Sequence, residues 1–288
     1  MTPNLKGAMF MTGSMASFTL NDTLVKVLAL DVPLFQIVFL RGLLTTVMLA
    51  AVVAALGRLD FRIPKGDRGK VALRTFFEIA AMVVFLTALV NMAIANATAI
   101  LSAMPLVVTI GAALLFKEPV GWRRISAIVV GMVGVLMIVQ PGTEGFNIYA
   151  LAALASVVMV AGRDLATRSF SPAVPTLTVA VITAAAVAVF GGLLSLREPW
   201  VALSPREMAL LAASSVCIIG GYVFSIMVMR IGEVSVTAPF RYTALIFALI
   251  LGFVVFGELP NVLALCGAAL VMATGVFTLV RERQVKHG

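Results

Sequence analysis

Charged residues are scarce in this 288-residue chain. Asp, Glu, Lys and Arg make up 12% of it, against 61% hydrophobic residues, whereas soluble domains are about 25% charged. So little polar surface excludes a water-soluble globular domain, and so much apolar content excludes a disordered chain. At about 20 residues for each membrane-spanning helix, the length holds about ten spans and no sizeable soluble domain.

Residue types that define many enzyme and metal sites are nearly absent. The only histidine is His287, and the two cysteines, Cys217 and Cys266, lie inside apolar segments. Catalysis by a buried histidine, a disulfide framework and a cysteine metal site are therefore excluded. The pattern Gly-x-x-x-x-Gly-Lys-Ser/Thr, which cradles ATP phosphates, is also missing. We expect no cofactor and no ATP-driven pump.

The net charge of +8 has a simpler origin than nucleic-acid binding. No run of basic residues resembles a nucleic-acid-binding arm. Membrane proteins retain Lys and Arg in their cytoplasmic loops, and this alone makes them basic. We therefore expect a small molecule and membrane lipid as partners, and no nucleic acid.

Ten apolar segments predict ten transmembrane helices, because they are too long for the alternating strands of a membrane barrel. Polar loops that contain Pro, Gly or charged residues separate them. No small-residue cleavage pattern follows the first segment, so we expect it to be a permanent span. The segments are 5–29, 33–56, 71–91, 95–116, 122–140, 146–167, 175–195, 207–229, 232–256 and 260–280.

The distribution of basic residues predicts that both termini are cytoplasmic. With ten spans and a cytoplasmic N-terminus, sixteen Lys and Arg residues fall on the cytoplasmic side and three on the outer side. This count places Arg74 and Arg163, which lie near the ends of the third and sixth segments, on the cytoplasmic side, and leaves Arg41 and Arg241 deep within spans. Positive charge is retained in the cytoplasm, so the split favours this orientation.

The two halves of the sequence repeat. Five helices in each half is an odd number, so the second half must cross the membrane in the opposite sense to the first. We assign residues 1–142 to a first repeat and residues 143–288 to a second, inverted one. Inverted repeats with a site between them are typical of secondary transporters. The matching motifs, at offsets of 142 and 140 residues, are Asp22-x-x-x-Lys26 with Asp164-x-x-x-Arg168, and Phe116-Lys117-Glu118 with Phe256-Gly257-Glu258.

The sequence resembles the EamA-type members of the drug/metabolite transporter superfamily over nearly its whole length. This resemblance implies an all-α membrane protein with ten helices in two inverted repeats. It also implies that the protein carries one small organic solute across the bacterial inner membrane by alternating access. The chain looks most similar to the branch of S-adenosylmethionine transporters, and it is also similar to amino-acid exporters and riboflavin transporters. The resemblance is carried by "APFRYTALIFALILGFVVFGELP" at 238–260, "AMPLVVTIGAALLFKEP" at 103–119, "NDTLVK" at 21–26, "FLRG" at 39–42 and "GMVGVLMIVQP" at 131–141.

One group of charged residues occurs in matched sets near the two membrane surfaces. Each Asp of the repeated motif lies four residues before its basic partner on one helical face, where ion pairs form. We predict gates at the two ends of the transporter, with static pairing at helix ends as the alternative. The gate candidates are Asp22, Lys26 and Glu258 at the outer end and Asp164, Arg168 and Glu118 at the inner end.

A second group of charges, Glu78, Arg41 and Arg241, has no charged counterpart in the other half. A charge inside a span costs about 2.5–3.5 kcal/mol on insertion scales, and two matched halves do not need these three to fold. We predict that they bind substrate. Glu78 would meet a cation or carry a coupling proton, and an arginine would meet a carboxylate. Structural pairing of Glu78 with Arg241, or of Arg41 with Asp22, is the alternative.

Aromatic and proline residues complete the set of candidates. Tyr242 adjoins Arg241, and Tyr222 is a further aromatic candidate for the substrate site. Pro105 and Pro239 lie inside spans, where proline frees the carbonyl four residues earlier and kinks the helix. We predict hinges, or bare carbonyls at a cavity, with a fixed packing kink as the alternative.

Together these features predict a secondary transporter for a small polar, amino-acid-like solute, acting as a monomer or a weak homodimer. S-adenosylmethionine, riboflavin or a drug is the alternative solute. An intramembrane lipid-modifying enzyme is the alternative of another class, but it would need an activated nucleophile or a metal set. A channel would need a ring of like charges or a carbonyl filter. The sequence leaves the direction of transport and the coupling ion open.

Overall fold

Ten helices make up most of the chain described by the computed structural model, which covers residues 3–55, 60–117, 121–142, 146–231 and 237–286. The first five are α1 (Pro3–Leu28), α2 (Leu34–Ala55), α3 (Arg68–Asn91), α4 (in two pieces, Ile94–Leu101 and Met104–Phe116) and α5 (Trp122–Val139). The second five are α6 (Tyr149–Arg168), α7 (Thr176–Ser195), α8 (Pro205–Ile231), α9 (Thr243–Phe256, entered through a 3-10 turn at Ala238–Tyr242) and α10 (Val262–Lys286).

The all-helical fold confirms the sequence prediction. Each predicted span coincides with one helix, and the ends differ by a few residues. Residues 232–236, assigned to the ninth span, lie outside the described ranges. By length and hydropathy, seven of the described helices are able to cross a membrane: α2, α3, α4, α6, α7, α8 and α9. Shorter apolar stretches occur in α5 (Ile125–Val139) and α10 (Val262–Phe277).

The contacts between helices match across the two halves. α1 packs along α8 as α3 packs along α6, α1 contacts α9 as α6 contacts α4, and α2 contacts α8 as α7 contacts α3. The remaining main contacts, α2–α7, α4–α9 and α5–α10, join each helix to its own counterpart. Exchanging α1–α5 with α6–α10 therefore leaves the pattern unchanged, which is the packing of two inverted five-helix repeats.

The largest apolar cluster surrounds the crossing of α4 and α9. Ile94 and Ile100 of α4 and Ala248 of α9 are fully buried there, together with Val25 of α1 and Leu89 of α3. Since these side chains come from both halves, the core holds the repeats together and fixes the helices that carry the polar side chains described below.

Glycines set the distance between α5 and α10. A Cβ atom added to Gly134 would lie 2.8 Å from the carbonyl oxygen of Gly267, and one added to Gly267 would lie 2.5 Å from the carbonyl oxygen of Gly134. Small residues at a crossing are what allow membrane helices to approach this closely. Any larger residue at either position would push the two helices apart.

The two prolines occupy different positions in their helices. Pro105 is the second residue of the second piece of α4, and the break at 101–104 lies where this proline predicts a kink. Pro239 lies in the 3-10 turn before α9, where proline is well tolerated because the first turn lacks helical partners for its N–H groups. Ser235, whose carbonyl Pro239 was expected to free, lies outside the described residues. The hinge role of both prolines stays a prediction.

Equivalent positions of the repeat end α4 and α9 in the same backbone conformation. Lys117 follows α4 with φ 54°, and Gly257 follows α9 with φ 67°. This left-handed conformation costs about 1–2 kcal/mol for a residue with a side chain, whereas glycine adopts it freely. The repeat has kept the backbone conformation although the residue has changed.

We expect Lys117→Gly to stabilise the protein by up to about 1 kcal/mol, because it relieves this strain. The midpoint of thermal unfolding in detergent measures the change. Gly257→Ala is the matched control: nothing lies within 4 Å of the added Cβ, so strain alone should lower its midpoint. A Lys117→Gly midpoint at or below that of the parent protein would contradict this explanation.

Candidate functional site

The largest network of charged side chains inside the helices lies where α3 packs on α6. Arg163 of α6 donates to Asp164 Oδ1 through Nε (2.9 Å) and Nη2 (2.7 Å). Its Nη1 donates to Glu78 Oε2 of α3 (3.3 Å). Arg74, one turn before Glu78, lies 3.7 Å from the same oxygen. We call Glu78, Arg74, Arg163 and Asp164 the inner cluster, and the end of the bundle at which α1 begins the inner end.

Arg74 belongs to this network and not to a cytoplasmic loop. Its Nε donates to Thr167 of α6 (3.1 Å) and its Nη1 to Thr183 of α7 (2.6 Å), so that it joins three helices. Arg74 and Arg163, which the charge count placed on the cytoplasmic side, lie inside helices near the inner end, since α3 begins at Arg68 and α6 continues to Arg168. The spacing of Arg74 four residues before Glu78, on one helical face, is the signal that identifies it.

A smaller polar group occupies the equivalent place in the first half. The side-chain oxygen of Asn21 accepts from Arg41 Nη1 (3.0 Å) and from Ser214 Oγ of α8 (2.8 Å), and its amide donates to Asp22 (3.0 Å). We call Asn21, Asp22, Arg41 and Ser214 the outer cluster. Asn21 and Arg163 are equivalent at the offset of 142, so one position organises both clusters. No sequence signal identifies Asn21 or Ser214, because uncharged polar residues are common in helices.

Tyr222 of α8 lies between the two clusters. Its hydroxyl group is within electrostatic range of Arg41 in the outer cluster and of Glu78, Arg74 and Arg163 in the inner one. In the described part of the chain α8 makes no extended contact with α3 or α6. We infer that the two clusters face each other across a cleft, because the Tyr222 side chain between them is partly exposed.

Arg241, just before α9, borders the inner cluster. Its guanidinium group is within electrostatic range of Asp164 and Arg163, and the residue is exposed. The alternative pairing of Glu78 with Arg241 is wrong, because Arg163 and Arg74 are the arginines that contact Glu78. Arg41 does not form an ion pair with Asp22 either, since its hydrogen bond goes to Asn21.

Tyr242 follows Arg241 but is buried between α9 and α10. Its ring lies against Gly275, and its hydroxyl group has no hydrogen-bond partner among the described residues. A buried hydroxyl without a partner is unfavourable by about 1–3 kcal/mol. The role of Tyr242 in substrate binding stays a prediction.

The ion pairs predicted between residues four apart are not formed. Asp22 accepts from Asn21 and Asp164 accepts from Arg163, in each case from the residue directly before it. Both acids therefore belong to the clusters inside the cleft. Lys26 and Arg168, their predicted partners, contact other helices.

Lys26 joins three parts of the chain at the outer end. Its Nζ donates to Glu258 Oε1 (2.8 Å) and Oε2 (2.9 Å) and to the carbonyl of Met92 (2.7 Å). It also lies 4.7 Å from the centre of the Phe256 ring, and Glu258 accepts from the N–H of Ile94 (3.3 Å). A side chain only 7% exposed thus ties α1 to the α3–α4 and α9–α10 connections.

Arg168 occupies the equivalent position at the inner end. Its guanidinium carbon lies 5.3 Å from the centre of the Phe116 ring, and Phe116 is the counterpart of Phe256. The two ends thus share a cation held over an aromatic ring. Glu118, the predicted gate residue that matches Glu258, lies outside the described residues.

An apolar cavity of about 420 Å³ opens between α5 and α10, away from the clusters. Trp122, Val130 and Phe277 contribute to its lining, and none of its lining residues is charged. A polar solute would lose its hydrogen bonds with water there without replacement. The charged cleft is the better candidate for the functional site.

Known proteins share both the fold and the sequence pattern of this chain. The EamA-like transporter family matches it twice, at residues 5–140 and 147–280. A protein of known crystal structure, 21% identical, aligns over 96% of this chain and 98% of its own with a TM-score of 0.67, which shows a common fold. The two family matches coincide with the two halves that the helix packing relates.

Three relatives with named functions are transporters. The S-adenosylmethionine uptake transporter of Rickettsia prowazekii is 24% identical over 97% of this chain and 94% of its own length. The pseudopaline exporter of Pseudomonas aeruginosa is 24% identical over 90% and 91%, and the riboflavin transporter of Vibrio cholerae is 26% identical over 71% and 69%. With a family match in each half and the packing of two inverted five-helix repeats, this chain belongs to the EamA-like transporter family and is a multi-pass membrane transporter.

Proposed function

We propose that this protein is a secondary transporter that moves a small polar, amino-acid-like metabolite across the bacterial inner membrane by alternating access. The observation that carries the proposal is the cleft in which Tyr222 lies between charged clusters from both halves. Charges inside membrane helices are costly and mark substrate or ion paths. A position between inverted repeats is where secondary transporters bind their substrates.

The same site suits other carriers of this fold, so S-adenosylmethionine and riboflavin remain competing substrates. Relatives named for transport of each are similar to this chain at 24% and 26% identity. The clusters favour an amino-acid-like solute, because they present acids and arginines together and such a solute carries both an ammonium and a carboxylate group.

The two ends of the cleft act as gates in this proposal. Lys26 and Glu258 close the outer end, and Arg168 contributes to closing the inner end, where the role of Glu118 stays a prediction. Asp22 and Asp164 are better placed for the substrate and for its coupling than for the gates, since their hydrogen bonds lie within the clusters. Breaking one gate while the other holds would expose the cleft to one side at a time.

Glu78 is the carboxylate that couples substrate to the movement of the helices. Arg163 and Arg74 contact it directly, and both arginines border the cleft. Ten residues from the start of α3, at 1.5 Å each, place Glu78 about 15 Å into the bundle. A substrate that binds to these arginines, or a proton that binds to Glu78, changes the charge balance around the carboxylate. We propose a proton as the coupling ion.

The transport proposal predicts saturable exchange by the purified protein in liposomes. Vesicles preloaded with unlabelled amino acids, S-adenosylmethionine or riboflavin should accumulate the corresponding labelled solute by counterflow, and we expect the amino acids to be active. A leak of ions or of all solutes in proportion to their concentrations would instead indicate a channel. Failure of every solute to exchange, with the protein correctly inserted, would contradict the proposal.

We also propose that both termini lie in the cytoplasm. The boundary between the two repeats, which we place between residues 142 and 143, is a further part of the proposal. A cytoplasmic reporter fused after Gly288 should be active, because the excess of basic residues favours retention of both termini in the cytoplasm. Fusion of a periplasmic reporter at the same position is the control. Activity of the periplasmic reporter alone would reverse the topology.

Removing the outer gate should both destabilise the protein and open it. Glu258→Gln leaves the buried ammonium group of Lys26 without its counter-charge, and breaking a buried ion pair typically destabilises by about 3–5 kcal/mol. A cysteine introduced at Tyr222 should then react faster with a thiol reagent added from outside. Asp31→Asn, an exposed acid at the same end, is the control. Equal labelling rates in the Glu258→Gln and Asp31→Asn backgrounds would argue against a gate.

We expect Glu78→Gln to abolish transport and to lower stability by about 1–3 kcal/mol, since two arginines lose their shared acceptor. Adding Arg163→Gln should recover part of the stability, because the two residues are coupled, but not the transport. Glu207→Gln, at a partly exposed acid in the first turn of α8, is the control. A folded Glu78→Gln variant with the transport rate and pH dependence of the parent protein would show that Glu78 is structural.

A further inference from the structure

The charged groups around the cleft do not balance. Seven acids and arginines among the described residues either form the two clusters or, in the case of Arg241, border the inner one. When all seven are ionised they leave one positive charge in excess. Lys26 and Glu258 at the outer end neutralise each other and do not change this sum. Protonation of any of the acids would increase the excess. The seven residues are Arg41, Arg74, Arg163, Arg241, Asp22, Glu78 and Asp164.

The excess charge can be assigned to one residue. Arg41 and Arg163 are each held by hydrogen bonds within their clusters, and Arg74 is held by hydrogen bonds to two threonines of α6 and α7. Arg241 has neither a hydrogen bond nor an ion pair to any of the described residues, and its side chain is exposed although Asp164 and Arg163 lie within electrostatic range. An accessible guanidinium group deep in a protein, with no partner of its own, is a site for a carboxylate, which it can bind through two parallel hydrogen bonds.

The neighbouring acid, Asp164, is suited to bind an ammonium group of the same ligand. Both hydrogen bonds that Asp164 accepts from Arg163 go to Oδ1, and its side chain is 33% exposed. No nitrogen of Arg241 lies within 4.0 Å of a carboxylate oxygen of Asp164, although the two charges are near each other. An α-amino acid carries its ammonium and carboxylate groups on a single carbon, so it can bridge an acid and an arginine that do not touch.

We propose that Arg241 binds the carboxylate and Asp164 the ammonium group of an α-amino acid, and that the cleft selects solutes whose total charge is zero or negative. This inference rests on the proposed transport function and narrows its substrate class. A solute with a net positive charge would enter a cleft that already holds an excess of positive charge, where like charges repel strongly because water is scarce. The structure therefore argues against S-adenosylmethionine, whose sulfonium group makes it a net cation.

A matched pair of probes tests the charge rule directly. S-adenosylhomocysteine has the same amino acid and nucleoside as S-adenosylmethionine but lacks the methyl group that creates the positive charge. We expect S-adenosylhomocysteine and methionine to inhibit counterflow at concentrations at least about tenfold lower than S-adenosylmethionine, since like-charge contacts are costly. Methioninol, which lacks the carboxylate, should not inhibit. Equal or stronger inhibition by S-adenosylmethionine would overturn the inference.

Variants of Arg241 separate recognition from structural support. Arg241→Gln should weaken inhibition by methionine and reduce the difference between the matched probes, because it removes both the carboxylate partner and the excess charge. Arg241→Lys keeps the charge, so it should keep the difference between the probes while it weakens both. If Arg241 had only a structural role, Arg241→Gln and Arg241→Lys would each weaken the binding of S-adenosylhomocysteine and of S-adenosylmethionine by the same factor. That result would contradict the assignment.

Failure of this inference and failure of the proposed function give different results. If riboflavin or another solute exchanges while no α-amino acid binds, the protein is a transporter and the assignment of Arg241 and Asp164 is wrong. If no solute exchanges, the transport proposal itself fails. Thermal shift of the purified protein with methionine, independent of any transport, should show binding in the parent protein and its loss in Arg241→Gln.

Discussion

A charge inside a membrane helix must be provided with a partner by the protein, because hydrocarbon provides none. In this chain some partners lie in the same repeat, but three contacts join the two repeats: Glu78 of α3 meets Arg163 of α6, Lys26 of α1 meets Glu258 beyond α9, and Asn21 of α1 meets Ser214 of α8. Neither repeat is electrostatically complete alone. The same contacts that hold the halves together line the cleft and, in the proposed function, close its outer end, so that assembly and transport would depend on one set of interactions.

The fold could be predicted from the sequence because its signals are local. Apolar runs of about 20 residues define the spans, and an offset near 141 residues relates the halves. Partner choice could not be predicted in the same way. Asp22 and Lys26 lie four residues apart on one helical face, which makes an ion pair feasible. Glu258 and the carbonyl of Met92 nevertheless bind Lys26, because contacts between distant segments override the preference within one helix.

Part of the site could also be predicted. Glu78, Arg41 and Tyr222 lie around the cleft and Arg241 borders the inner cluster, while their role in substrate binding stays a prediction. The absence of a charged counterpart in the other half was the signal that identified Glu78, Arg41 and Arg241. Arg74 was missed as a site residue because the charge count used it only as a marker of the cytoplasmic side. It lies inside the predicted third span, 71–91, and its position one helical turn before Glu78 was the available signal.

The contacts that join each helix to its own counterpart have a further consequence for the energetics of transport. If the two repeats exchange conformations when access alternates, the contacts α2–α7, α4–α9 and α5–α10 are preserved, because each joins a helix to its own counterpart. The glycine crossing at 134 and 267 would then be the point about which α5 and α10 turn. A perfectly symmetric molecule would then populate both orientations equally. Any resting preference must come from positions where the repeats differ, such as Asn21 against Arg163 and Arg41 against Thr183. The residues that give the cleft its chemistry therefore also set the bias of the cycle.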